Sequence, residues 1–367
     1  MTSRLATLVW LVGLLPLFAS ADRASVEDLA QRYSLTTSTT LPFPTATQAN
    51  ADTQNLLVQQ WSLGKGRIQD GADRLEFVAD PFPRNSVPGS TQNATGPVLQ
   101  ATYPAGSFSH ESGGAQFYNL WNNTNGNPFQ SMIVSYELAF PQDFDWVKGG
   151  KLPGLRGGLN STGCSGGNEP DGRDCLSARL MWRRNGNGEA YLYIPKPNGL
   201  CDERSISCND DFGISVSRGS FVLTPAQWYR ITMLVQVNNP PNVANGNLRI
   251  YFNDEEVIRQ QDLQFRAVDS LTVNGFFFST FFGGSFLSCF LVHRNHTDSF
   301  FGRHTGGDNS WATPQTTHTY YRNIRMWGGS QPSNLTGQTV NAAYHPAAST
   351  AVISCVGVFL LFVNTLV

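Results

Sequence analysis

The stretch "CLSARLMWRRNGNGEAYLYIP", residues 175–195, holds side chains suited to acid–base and anion chemistry. Alternation along a strand places Ser177, Arg179, Met181 and Arg183 on one face and Ala178, Leu180 and Trp182 on the other. On the returning strand Tyr191 and Tyr193 share a face, with Leu192 and Ile194 pointing away. An odd-numbered turn, for example the five residues Arg184 to Gly188, sets Arg179 across from Tyr193 and gathers the polar groups on one side; an even turn separates them. Upstream, "KGGKLPGLRGG" (148–158) carries Lys148, Lys151 and Arg156 among five glycines and a proline, the composition of a loop whose backbone can pass close under another molecule. With no acidic pair to match these cations, such a face attracts an anionic ligand. Arginine grips a carboxylate through two parallel hydrogen bonds, and tyrosine stacks on a sugar and exchanges a proton. Arg beside Tyr is also an ordinary cross-strand pair on the solvent face of a hairpin.

Four cysteines flank this segment. Their short spacings favour Cys164 with Cys175 and Cys201 with Cys208 as two local staples around residues 176–200, one of three possible pairings. Cys289 is left unpaired, and Cys355 lies in the C-terminal tail. Segments rich in aromatic and β-branched residues recur at 131–140, 177–183, 189–195, 227–237, 247–254, 273–282 and 319–327, separated by Gly, Asn and Pro clusters. Long helical periodicity is absent. Many short antiparallel strands in a body of this size predict an all-β fold: a jelly-roll sandwich of two antiparallel sheets with a concave groove.

The ends suggest an address. Arg4, the apolar run Leu5 to Phe18 and Ala19-Ser20-Ala21 form a secretory signal peptide over 1–21. Residues 22–54, rich in Ser and Thr without periodicity, are expected to be a flexible lead-in; 55–330 is the folded domain and 331–343 a linker. The apolar segment 344–367 fits a glycosylphosphatidylinositol attachment signal, with Asn341 one possible anchor residue and a C-terminal membrane helix the alternative. Sequons at Asn93, Asn122, Asn160, Asn295 and Asn334 agree with an extracellular, cell-surface protein whose only membrane contact is the lipid anchor. Charged residues make up 14% of the chain and the net charge is −2, which excludes a nucleic-acid partner. Residues 285–308 break the strand rhythm. Cys289, His293, His296 and His304 there match no common metal-site spacing, so no metal or other cofactor is expected.

The motifs "KGGKLPGL", "SARLMWR", "GEAYLYIP", "FFFSTFFGG" and "WATP" with "YYRNIRMW" resemble polysaccharide lyase family 14, the alginate and glucuronate lyases, and in particular fungal secreted members. The resemblance spans roughly 55–330, and its most specific element is the Ser-x-Arg to Tyr-x-Tyr spacing of Ser177, Arg179, Tyr191 and Tyr193. It implies a β-jelly roll and adds Lys151 to those four as a catalytic residue; Lys148, Arg156 and Arg183 are substrate-binding candidates. It also implies an acidic, uronate-containing polysaccharide as substrate, cleaved by β-elimination. Cationic and hydrogen-bonding groups, here Arg179, Ser177 and Lys151, then have to neutralise the carboxylate while the C5 proton leaves. Tyr191 and Tyr193 are the acid–base pair if a nearby cation lowers a phenol pKa, and Lys151 can replace the base if its own is depressed. A glycoside hydrolase needs two facing carboxylates, for which Glu137, Glu189 and Asp254 to Glu256 are the nearest offers. A non-catalytic glycan-binding or cell-wall adhesion module is the other competing function.

Overall fold

A computed structural model describes residues 23–90, 96–122, 127–159, 163–209, 212–284 and 308–340. Outside them lie the expected signal peptide, Asn93, Asn160, Asn295, Asn341, Cys289, Cys355, the three histidines of the 285–308 segment and the anchor signal.

In chain order the strands are β1 (Thr37–Thr40), β2 (Leu75–Val78), β3 (Val98–Tyr103), β4 (Ala115–Leu120), β5 (Ser131–Ala139) and β6 (Gly149–Gly158). Then come β7 (Cys175–Arg183), β8 (Asn187–Tyr193), β9 (Ile206–Ser207), β10 (Ile214–Val222), β11 (Tyr229–Gln236) and β12 (Val243–Ala244). The last are β13 (Gly246–Phe252), β14 (Glu255–Leu263), β15 (Val273–Phe282), β16 (Thr317–Gly329) and β17 (Gln338–Thr339). One sheet runs β14-β13-β11-β5-β16-β3-β2, with β1 also on β16; the other runs β4-β15-β6-β7-β8-β10-β9. Pairings within both sheets are antiparallel. The core lies between them, where Val134, Tyr136, Leu138 and Met233 of the first sheet join Leu152, Leu180, Trp182, Leu192 and Phe278 of the second in one apolar cluster. This is the two-sheet jelly roll that the alternation predicted.

Three expectations are corrected. Residues 148–158 are not a loop: β6 is a buried strand in the middle of the second sheet. Its glycines make room for neighbours. A Cβ on Gly150 would sit 2.1 Å from the Trp182 indole, and one on Gly154 2.0 Å from the Ala178 carbonyl oxygen. Nor is the segment after residue 22 a flexible lead-in. Ser25 caps α1 (Val26–Arg32), its side chain accepting from the Asp28 backbone N–H while the Asp28 carboxylate accepts from the Ser25 backbone N–H. Leu29 of that helix is buried against Ile133, Leu234 and Tyr251 on the outer face of the first sheet. A second helix, α2 (Asn50–Gln60), adds Leu56 and Leu57 to the main core. Serine and threonine content concealed this, because the few apolar residues that dock the segment are spread thinly along it. At the other end, the segment expected as a linker packs as far as residue 340, with Ser333 buried and β17 paired to β12.

Candidate active site

The hairpin of β7 and β8 closes through the three-residue turn Arg184–Gly186, where Asn185 takes φ +61° and Gly186 φ +74°. The odd count puts the polar side chains on one face as expected, but the register is two residues off the five-residue example: Arg179 stands opposite Tyr191 and Ser177 opposite Tyr193. On the neighbouring strand, Lys151 pairs with Met181 and Arg156 with Ser177. Five residues apart, Lys151 and Arg156 would face opposite ways on a regular strand. A bulge at Pro153 and Gly154, between the pairs Leu152–Leu180 and Leu155–Ala178, returns both to the face away from the core. The carbonyl of Pro153 accepts the Tyr136 hydroxyl at 2.9 Å, tying the bulge to the first sheet.

Lys151, Arg179, Tyr191 and Tyr193 line one cleft, together with His110, Gln116, Ser165, Gly166, Phe212, Phe281 and Gly284. The cleft encloses about 410 Å³ of space, its open mouth included. Its floor is nearly dry: Lys151 is 4% exposed, Arg179 1%, Tyr191 3% and Tyr193 2%. The Lys151 amine sits 3.3 Å from the centre of the Tyr191 ring and donates to Met181 Sδ at 2.8 Å. Arg179 Nη1 donates to Ser279 Oγ at 3.0 Å, its guanidinium lies 4.4 Å from the Phe277 ring, and its buried Nε has no hydrogen-bond partner. Among the described residues neither cation has an ion-paired carboxylate. Gly167 N–H donates to the Tyr193 hydroxyl oxygen at 3.2 Å, and the two tyrosine rings meet edge to face at 5.8 Å.

Burial governs the electrostatics. It holds the Lys151 amine well below its ordinary value, helped by the charges of Arg179 and Arg183 and opposed by Glu189. It also pushes the Tyr191 phenol up, with Tyr193 adding to the shift and Arg179 and Arg183 opposing it. For Tyr191 the expected lowering by a cation is therefore reversed, because loss of hydration outweighs both guanidinium groups. Arg179 is drawn down by the same burial, with Tyr193, Tyr118 and Tyr191 opposing.

The remaining candidates sit elsewhere. Ser177 spends its hydroxyl on the Cys164 carbonyl at 2.7 Å, holding the loop of the Cys164–Cys175 disulfide over the cleft. The second predicted bridge, Cys201–Cys208, is also formed. Arg156 is buried with its guanidinium 4.5 Å from the Tyr118 ring, outside the cleft lining. Arg183 is held by Glu189, Nε to Oε1 at 2.8 Å; Arg218 and Ser215 bind the other carboxylate oxygen at 2.6 and 2.7 Å. Burial raises the Glu189 pKa, but Arg183, Arg218 and Ser215 together leave it below its usual value. Lys148 lies beside Ser310 and Trp311, away from the floor. Asn122 and Asn334 are exposed.

Sequence reasoning missed His110, Gln116, Ser279 and Phe281. Ser279 and Phe281 alternate with core phenylalanines in "GFFFSTFF", where the apolar run hid which face each residue takes. Gln116 precedes Phe117 on β4 and carries the same weak signal; His110 is in an irregular segment and carries none.

No curated protein matches the chain. An alginate lyase of this family from Aplysia kurodai is 27% identical and superposes with a TM-score of 0.59, over 79% of this chain and 100% of that one. The alginate lyase Aly36B, as a lysine-and-tyrosine double alanine variant in complex with an alginate tetrasaccharide, is 18% identical with a TM-score of 0.54, over 83% of this chain and 98% of that one. An alginate lyase from a Chlorella virus is 20% identical with a TM-score of 0.48, over 68% and 90%. The profile of polysaccharide lyase 14 matches residues 91–289. With the jelly roll and its cationic, tyrosine-lined cleft, that match places the chain in polysaccharide lyase family 14: it is a polysaccharide lyase.

Proposed function

We propose that the protein cleaves a uronate-containing polysaccharide, alginate or glucuronan, by β-elimination in this cleft. The observation that carries the reading is Arg179: a buried guanidinium on the cleft floor with an unpartnered Nε and no acidic partner among the described residues. A buried cation left in that state suits an arriving carboxylate. Arg179 then binds the C6 carboxylate and bears the charge that grows on it as the C5 proton departs. Tyr193, whose oxygen accepts the Gly167 N–H, takes that proton as its phenolate. Tyr191, which burial keeps protonated, gives its proton to the departing O4. Lys151, its amine over the Tyr191 ring and drawn toward the neutral form, exchanges protons with the cleft and returns the tyrosines to their starting states. Ser177 acts as a positioning residue through the loop it holds.

The name of the Aplysia kurodai relative, an alginate lyase, supports the substrate class. None of Glu137, Glu189, Asp254, Glu255 or Glu256 lines the cleft, which argues against hydrolysis by paired carboxylates. The leader, sequons and tail of the sequence support a secreted, glycosylated and lipid-anchored enzyme of the fungal type. Incubation with polymannuronate, polyguluronate and glucuronan, followed by ultraviolet absorbance of the C4=C5 unsaturated product, tests the reading. Binding without absorbance leaves a glycan-binding module, and new reducing ends without absorbance mean hydrolysis; either result overturns it.

A further inference from the structure

The tyrosines occupy one flank of the cleft only. Across the second sheet the order β15-β6-β7-β8 sets Phe281, Lys151, Arg179 and the tyrosines on successive strands, so the flank beyond Phe281 lies three strand spacings, about 14 Å, from Tyr191 and Tyr193. That flank holds His110, its ring edge-on to Phe281 at 5.7 Å between centres. His110 Nδ1 is sealed from solvent and lies 3.1 Å from Asp70 Oδ2 without making a hydrogen bond, while the ring lines the cleft. The negative charge of a carboxylate beside Nδ1 favours a proton on that nitrogen, which leaves the lone pair on Nε2. Asp70 is itself fixed. Its backbone pairs with Gln116, N–H to O at 3.2 Å and back at 2.9 Å, and the Gln116 amide reaches its Oδ2 at 3.4 Å. Gln116 Oε1 accepts from Ser279, which accepts from Arg179, so one chain of hydrogen bonds runs from the Asp70 beside His110 to the guanidinium that holds the carboxylate.

We propose that His110 is a second catalytic base, used for uronates whose C5 hydrogen and O4 lie on opposite faces of the ring. The inference rests on the lyase reading above. In D-mannuronate and D-glucuronate the C5 hydrogen and O4 share a face, so neighbouring tyrosines on one flank can take one proton and give the other. L-Guluronate is the C5 epimer of D-mannuronate. With its carboxylate on Arg179 and O4 toward Tyr191, its C5 hydrogen faces the His110 flank. His110 Nε2 takes that proton, the electron pair forms C4=C5, the C4–O4 bond breaks, and the Tyr191 proton goes to O4; solvent then exchanges both residues back.

The test is the ratio of kcat/KM on polyguluronate to that on polymannuronate, in the unsubstituted protein, His110→Gln and Asp70→Asn. Loss of a positioned base is worth about 10²–10⁴ in rate, so His110→Gln lowers this ratio by at least about 10², and Asp70→Asn lowers it in the same direction by less. Activity remaining on polymannuronate shows that each variant has folded. The proposal is overturned if both activities fall together, if neither falls, or if the unsubstituted protein cleaves only one of the two polymers. Failure of the lyase reading looks different: no unsaturated product from any of them.

Discussion

Lys151→Met should make the protein more stable while abolishing its activity. The lysine stem is buried and its amine has only Met181 Sδ and the Tyr191 ring for partners, so its charged form is expensive in the fold and its pKa falls well below 10.5. The unfolded chain protonates this side chain normally. Between the folded and unfolded values the unfolded state binds the extra proton, so stability rises with pH and the penalty vanishes above 10.5. At pH 7 the cost of keeping the amine neutral has a ceiling of about 5 kcal/mol, from 1.36 kcal/mol per pH unit below the unfolded value. Methionine fills similar volume, and what the variant loses is the neutral amine's bond to Met181 Sδ, worth about 0.5–1.5 kcal/mol. A net gain of about 1–3 kcal/mol follows, within the range for replacing buried charge by apolar atoms. At about 2–4 °C per kcal/mol, Tm should rise by several degrees. Thermal unfolding of both proteins from pH 7 to 10.5 is the assay, with the difference narrowing steadily as pH rises. A variant less stable at pH 7, or a difference that does not change with pH, refutes the reasoning.

Arg179→Ala should lower kcat/KM on polyuronates by about 10²–10³, the effect of removing one donor to a developing oxyanion, with no gain on a neutral glucan. Tyr191→Phe keeps the ring over Lys151 and should lower kcat by about 10²–10⁴ while KM changes little; unchanged turnover removes its hydroxyl from the reaction. Glu189→Gln takes the charge partner from the mostly buried Arg183, while the half-exposed Arg218 is rehydrated, and should cost about 1–3 kcal/mol in denaturant unfolding. Because the Glu189 pKa is lowered in the fold, its contribution is present above the unfolded value of 4.5 and fades as pH falls below it, so wild type and variant should converge in acid. Gly150→Ala drives a methyl into the Trp182 indole and should cost at least about 1–3 kcal/mol, read as a lower Tm.

Much of the site was legible because β7 and β8 alternate cleanly. Ala178, Leu180 and Leu192 are unmistakably core, so Arg179, Tyr191 and Tyr193 had to share the other face once the turn was odd. The exact register was not, since Asn185 and Gly186 allow a tighter turn than composition alone suggests. Strand β6 was misjudged because glycine has no side chain with which to show a period, and its partners across the sheet, Trp182 and Ala178, can be known only from the fold. Burial of the cleft was hidden for a related reason: it depends on the loop of the Cys164–Cys175 bridge, which lies over residues distant from it along each strand. The Glu189 clamp on Arg183 joins β7, β8 and β10 and leaves no local trace.

The extra residue at Pro153 and Gly154 makes the length of β6 a matter of shape, not of polarity. Deleting either one would restore a regular pleat with Lys151 and Arg156 four residues apart and still on one face, so the polarity of the strand survives the loss of one residue here. An ordinary strand tolerates point changes better than shortening; here a one-codon loss would keep inside and outside as they are and would instead flatten the kink that carries the Pro153 carbonyl to Tyr136.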